Sequence, residues 1–188
     1  AIVIATNPIY SHDAVIKRMG WGNLPMDESI YALITSADNM HFAKPDPAYY
    51  AEILGRVGIE PDEAIMVGDS LKNDIRPAQQ IGLHTCQITD NNLIPFVQQL
   101  DYYFNLSLPL ELRPNMIEPQ LRGNIGAIFG FIANIPDHYW HQRPKSDEWS
   151  IMQILCHLVS FEEENERQRL LTILQEENPF ITQPAEPG

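Results

Sequence analysis

Positive charge is scarce in this sequence. Its 188 residues hold 12 Lys and Arg against 25 Asp and Glu, a net charge of −13. No basic stripe is available to meet phosphates, which argues against a nucleic-acid or anionic-membrane partner. Cutting the chain near residue 105 leaves both parts acidic, so the excess is a general property that favours solubility. Cysteine is rarer still. Cys86 and Cys156 lie far apart, each in an apolar segment, and form neither a disulfide framework nor a zinc pattern. Reduced thiols in the core of a cytoplasmic protein are the expectation. No apolar run approaches the ~20 residues of a membrane span. No secretory signal precedes the first strand, so the sequon Asn105-Leu-Ser107 is expected to be accidental.

What is present is organised around Ala64-Ile-Met-Val-Gly-Asp-Ser-Leu-Lys-Asn-Asp-Ile75. Its apolar start has the form of a buried parallel strand, which ends abruptly at Gly68-Asp69-Ser70. In open α/β sheets, ligands bind just outside the carboxyl ends of such strands. Asp69, with Asp74 five residues on, suits a hard cation, because magnesium takes one or two carboxylates with phosphate oxygens and waters.

Strand and helix patterns alternate on either side. Ala1 to Ala5 and Tyr31 to Thr35 read as strands, with a helix between them from a Ser11 cap to about Met19. Asp46 and Pro47 open a helix whose apolar face is Tyr50, Ile53, Leu54 and Val57, and Gly58 stops it. A helix over about Ile75 to Ile81 leads to a strand from Leu83 to Ile88. Asn91 to Leu100 is expected to be helical, and Tyr102 to Leu106 an edge strand. This alternation predicts an α/β domain: a Rossmann-like parallel sheet with flanking helices over residues 1–112. The first strand has no lead-in, which suggests that a segment precedes it.

The pattern then changes. Residues 113–119, with two prolines, read as a linker, and residues 120–188 as an incomplete helical segment. One helix carries the stripe Leu121, Ile125, Ile128, Phe129 and Ile132. A second opens at Ser150, where Ser150 and Gln153 fit a capping box, and is expected to run to about Gln175. Two such helices cannot bury their apolar faces alone and need more helices, from a missing segment, from the first domain or from another copy, so a homo-oligomer or a missing N-terminal segment is a candidate to complete the fold.

Thr6, Asn7, Lys44, Asp69 and Asp74 make chemical sense together. Phosphoryl transfer needs positioning and charge neutralisation more than bond chemistry from the protein. The Thr6 hydroxyl and Asn7 N–H can bind phosphoryl oxygens. Lys44 can neutralise a phosphate and a neighbouring carboxylate. Asp69 can hold Mg2+, with Asp74 supporting it.

Ile4-Ala-Thr6-Asn7, Lys44-Pro-Asp-Pro47 and Gly68-Asp69-Ser-Leu-Lys-Asn-Asp74 resemble, in order, the second, third and fourth motifs of the haloacid dehalogenase superfamily of hydrolases. The resemblance implies magnesium-dependent hydrolysis of a small phosphate ester through an aspartyl-phosphate. It gives Thr6 and Lys44 catalytic and phosphate-binding roles. The family's first motif, Asp-x-Asp, supplies the nucleophile, and this sequence contains no Asp-x-Asp. Alone, the chain is therefore expected not to turn over; a non-catalytic phosphate- or metal-binding module is the alternative. In the helical part, Glu148-Trp-Ser-Ile-Met-Gln-Ile-Leu-Cys-His157-Leu158, preceded by Trp140 and Arg143-Pro144, resembles the start of the DinB-like helical-bundle family. That resemblance implies a divalent metal at His157, with further ligands from a later helix, and metal-dependent transferase or binding chemistry as a third possibility.

Overall fold

The computed structural model describes residues 1–90, 92–104, 114–163 and 167–175. The chain forms two compact units, Ala1–Ala133 and Asn134–Gly188.

In the first unit, β1 (Val3–Ile4) pairs in parallel with β2 (Leu33–Ile34), and β3 (Ile65–Gly68) pairs in parallel with β4 (His84–Gln87). The parallel strands and their crossover helices match expectation, but the single sheet does not. Two two-stranded sheets form instead. Pairing stops at strands joined by one crossover. Among the described residues no extended segment reaches the second edge of β1 or of β3.

Both sheets nevertheless share a core. Side chains alternate across a strand, so Val3 and Leu33 face one way while Ile4 and Ile34 face the other. On the first face they meet α2 (Pro47–Val57) through Tyr49, Tyr50, Ile53 and Leu54. There they join Met66 of β3 and Ala78 and Ile81 at α3 (Arg76–Gln80). On the second face Ile4 and Ile34 meet Val15 and Met19 of α1 (His12–Trp21). Each such apolar side chain contributes roughly 1.5–3 kcal/mol on full burial.

The helix punctuation is mostly that of the sequence. The Asp46 carboxylate accepts from Ala48 N, Pro47 is the first helical residue, and Gly58 ends α2 in the left-handed region at φ 67°. At α1 the expected cap is replaced: Ser11 makes no side-chain bond, and Asp38 Oδ2 accepts from His12 N at 2.6 Å. A single π-type turn, Leu71–Ile75, leads into α3. Two short helices, α4 (Ile94–Gln98) and α5 (Leu100–Phe104), follow β4. Residues 102–104, expected in an edge strand, are thus helical; the remainder of that expected strand lies outside the described residues.

The expected linker is helical too. From Pro114 the chain is already in α6 (Pro114–Ile132). Pro114 starts the helix, where a missing N–H costs nothing. The contact boundary falls nineteen residues past Pro114, at Ala133–Asn134, because α6 packs closely on α2. The buried face is Met116, Pro119, Gly123, Gly126 and Ala127, whereas Leu121, Ile125, Ile128 and Phe129 of the expected stripe are exposed. Shape decides this. A Cβ at Gly123 would stand 2.4 Å from Ala51 Cβ and 2.5 Å from Glu52 N. The small residues let α6 approach where a larger side chain would hold it off.

In the second unit, the capping box of Ser150 and Gln153 opens α7 (Ile151–Phe161), with Gln153 N donating to Ser150 Oγ at 3.3 Å and Ser150 N to Gln153 Oε1 at 3.0 Å. A further helix, α8 (Arg167–Gln175), follows. The run expected to be one helix to Gln175 is helical on both sides of residues 164–166, which lie outside the described residues, as does the tail from residue 176. Ile154 and Leu158 are exposed, and so is Cys156, which was expected in a core; Cys86 is half-buried. No described helix is long and apolar enough to cross a membrane.

Candidate functional site

The first strand of each sheet ends in the residues singled out by sequence. Thr6 follows β1. Its N–H donates to Thr35 Oγ1 at 2.9 Å and its hydroxyl donates to the Thr35 carbonyl at 3.0 Å. Thr35 is fully buried and follows β2. Its hydroxyl also lies 2.9 Å from the Tyr49 hydroxyl, which donates to the Thr6 carbonyl at 2.6 Å. Thr6 is therefore locked in place, and its hydroxyl hydrogen is already committed. The donor left at this strand end is the backbone N–H of Asn7, an exposed residue whose carbonyl accepts from Ile9 N at 2.8 Å.

Lys44 and Asp74 meet. Lys44 Nζ donates to Asp74 Oδ1 at 2.6 Å, with the two side chains 9% and 7% exposed. Asp74 Oδ2 accepts from Ser70 N at 3.0 Å. Lys44 Nζ also lies 5.9 Å from the Tyr49 ring and 6.0 Å from the Tyr50 ring, within the range of cation–π attraction. Tyr50 donates its hydroxyl to the Asn73 carbonyl at 2.5 Å, tying α2 to the π-type turn. Gly68 makes room for this arrangement. A Cβ there would stand 2.6 Å from Asp74 Cβ and 2.7 Å from its Oδ2. Asp69, the next residue, is exposed, and its carboxylate has no partner among the described residues.

Thr6, Lys44 and Asp74 are thus brought together through Tyr49, while Asp69 and Asn7 stand at the solvent edge of strands β3 and β1. Thr35, Tyr49, Tyr50 and Ser70 were not picked out from sequence. Tyr49 and Tyr50 carried a signal, since they directly follow the Lys-Pro-Asp-Pro turn, but helical spacing makes them read as core. His157 lies in the second unit, exposed on α7, with its ring 4.8 Å from Trp149 and 6.2 Å from Phe161. Among the described residues no three His, Cys, Asp or Glu side chains are grouped to hold a metal ion.

Burial raises the Tyr49 phenol above its ordinary value of 10, and the negative charges of Asp74 and Glu52 add to this against a hydrogen bond with Thr35 that lowers it. Tyr50 is raised likewise by burial, then by Asp74. A phenol that resists ionisation only when folded stabilises the fold fully below pH 10 and loses that contribution as pH rises beyond it. Urea unfolding between pH 9 and pH 11 is expected to show stability declining above about pH 10. Tyr49→Phe should make the decline shallower by up to ~1.4 kcal/mol per pH unit. Equal slopes in parent and variant would show that Tyr49 plays no part.

Residues 13–88 match the haloacid dehalogenase-like hydrolase family. That stretch holds Lys44, Asp69 and Asp74 in the geometry just described. Over these residues the chain is similar to haloacid dehalogenase-like hydrolases. Proteins similar to part of the chain include phosphatases. The chain is 36% identical over 55 residues to glyceraldehyde 3-phosphate phosphatase of Methanopyrus kandleri, covering 29% of this chain and 24% of that protein. It is 35% identical over 52 residues to phospholysine phosphohistidine inorganic pyrophosphate phosphatase of Rattus norvegicus, covering 28% and 19%. It is 28% identical over 83 residues to phosphoglycolate phosphatase of Psychrobacter arcticus, covering 44% and 33%. The matches thus span a third or less of each relative. No solved structure matches the chain.

Proposed function

We propose that the first unit is a haloacid dehalogenase-like domain that supplies the phosphate- and metal-binding part of a cytoplasmic, magnesium-dependent phosphohydrolase. Its substrate would be a small phosphate ester, cleaved through an aspartyl-phosphate. The observation that carries this reading is the buried Lys44–Asp74 pair beside the exposed, unpartnered carboxylate of Asp69. Burying two charges is costly and seldom improves stability over an apolar pair, so a buried pair at a strand end is better explained by a site than by the fold. The phosphatase relatives support the reaction class.

The donor set fits one face of a Mg2+ site. Asp69 has free oxygens, and a carboxylate with phosphate oxygens and waters is a normal magnesium shell. Asp74 has both oxygens occupied, by Lys44 and by Ser70 N, so it suits a supporting role. Mg2+ would polarise a phosphoryl oxygen. Lys44 keeps two further N–H donors for the phosphate, and Asn7 N–H offers another. Thr6 serves as the rigid base of the Asn7 turn. The nucleophile is not among these residues. We infer that a strand ending Asp-x-Asp, encoded upstream or carried by another chain, adds to the unpaired edges of β1 and β3. A phosphate-binding module without turnover is the second reading, favoured by the absence of Asp-x-Asp from the sequence. For the helical part, a DinB-like metal site would have only His157 among the described residues, so no chemistry is derived there.

Ligand-linked stability tests the site. Inorganic phosphate with Mg2+ is expected to raise the melting temperature by a few degrees at about ten times Kd. Asp69→Asn should remove the Mg2+-dependent part and leave the phosphate part. No shift with either ligand up to about 50 mM, at constant ionic strength, would rule the site out; the linkage relation sets that limit.

A further inference from the structure

Among the described residues of the first unit, Glu52 is the most completely buried carboxylate, at 0% exposure. It lies on α2, two residues after Tyr50. Its Oε2 accepts from His41 N at 3.0 Å and Phe42 N at 3.2 Å, and its Oε1 accepts from His41 Nδ1 at 2.8 Å. Arg56 Nη1 stands 4.0 Å from Oε1 and also donates to the Asn39 carbonyl. Gly126 of α6 covers the group: a Cβ at Gly126 would stand 3.1 Å from Glu52 Cδ and 3.1 Å from the Phe42 ring.

The partners of this carboxylate are the clue to its use. Its hydrogen-bond donors all come from His41 and Phe42, in a segment that ends two residues before Lys44. Beyond Lys44 the same segment is held again. The Asp46 carboxylate accepts from Ala48 N at 2.9 Å and from Arg122 Nη2 of α6 at 2.8 Å. Lys44 is therefore suspended between two anchors, one of which is a desolvated charge. Isolating a carboxylate from water is expensive unless its lone pairs are filled, and here they are filled by two backbone N–H groups and one imidazole of a single turn. A neutral side chain could pack α2 against α6 equally well. A carboxylate, which only accepts, receives both N–H groups and the imidazole N–H together.

We propose that Glu52 is a positioning residue for the phosphate-site cation: its carboxylate fixes the turn at His41–Phe42 and so aims Lys44 Nζ at Asp74. This role rests on the reading of Lys44 as a site residue. Its readout is lysine reactivity, which stands or falls whether or not the chain hydrolyses any ester.

The test is reductive methylation of the full chain with formaldehyde and borohydride reagents, followed residue by residue by mass spectrometry. Lys145, which is largely exposed, serves as the internal reference. In the parent, Lys44 should react at least about tenfold more slowly than Lys145, because its ammonium is buried and ion-paired. In Glu52→Gln one donor replaces an acceptor, the turn is released, and Lys44 should approach the Lys145 rate to within about threefold. Leu54→Ala, which loosens the same helix through the core, should lower stability yet leave Lys44 protected. Lys44 remaining as slow in a folded Glu52→Gln as in the parent would overturn the proposal, as would equal deprotection in Leu54→Ala. If Glu52→Gln does not fold, amide hydrogen exchange in the parent decides. His41 and Phe42 N–H should exchange as slowly as the interior of α2, and exchange at least about a hundredfold faster than α2 would overturn the proposal.

Discussion

Lys44→Met is expected to cost the first unit about 3–5 kcal/mol, the range found when one member of a buried ion pair is removed. Methionine preserves most of the lysine's volume, so the loss isolates the ammonium, its attraction to the Tyr49 and Tyr50 rings included. What remains is the Asp74 carboxylate, 7% exposed, with Ser70 N as its one remaining hydrogen-bond donor. A surface ion pair would give a different answer, about 0–1 kcal/mol. The melting temperature should fall by on the order of 10 °C. Asp74→Leu in the same background removes the stranded charge. The double variant should recover more than half of the loss, a coupling that additive effects cannot produce. Chemical denaturation of the four proteins of this cycle measures it. A Lys44→Met variant within about 0.5 kcal/mol of the parent would show that the pair is not buried in solution.

How much of this was legible in the sequence depends on the range of the interaction. Local rules carried well. Asp46, Pro47 and Gly58 framed α2, and Ser150 with Gln153 capped α7, because caps are settled by a few adjacent residues. The strand ends were found because an apolar run stops where the chain leaves the core. Long-range effects carried badly. Nothing near Ser11 announces that Asp38 will cap α1. The α6 stripe was assigned by hydropathy to the wrong face, since close approach of Gly123 and Gly126 to α2 outweighed the larger side chains. At the site, residue types identified Thr6, Lys44, Asp69 and Asp74 as a set. They did not show that Asp74 would be saturated by Lys44 and Ser70, that Thr6 would spend its hydrogen on Thr35, or that Asp69 alone would keep free oxygens. Those facts follow from how β2, α2 and the π-type turn converge. The division into two sheets was not legible either, because an apolar run looks the same whether it has one neighbour or two.

Asp69→Asn is expected to have the largest effect on chemistry, a loss of at least about a hundredfold in turnover, provided that the nucleophile is present. It removes the one carboxylate with free oxygens at the strand ends, and a charge that orients a metal and a transferring phosphoryl group is typically worth several kcal/mol in the transition state. The most direct measurement is hydrolysis of p-nitrophenyl phosphate with Mg2+, by the chain alone and by the chain carrying an added strand that ends Asp-x-Asp. The chain alone should stay at background. The strand-completed protein should turn over, and should lose that activity on Asp69→Asn and on removal of Mg2+. Turnover by the chain alone that depends on Asp69, or turnover by the completed protein that ignores it, would contradict the account.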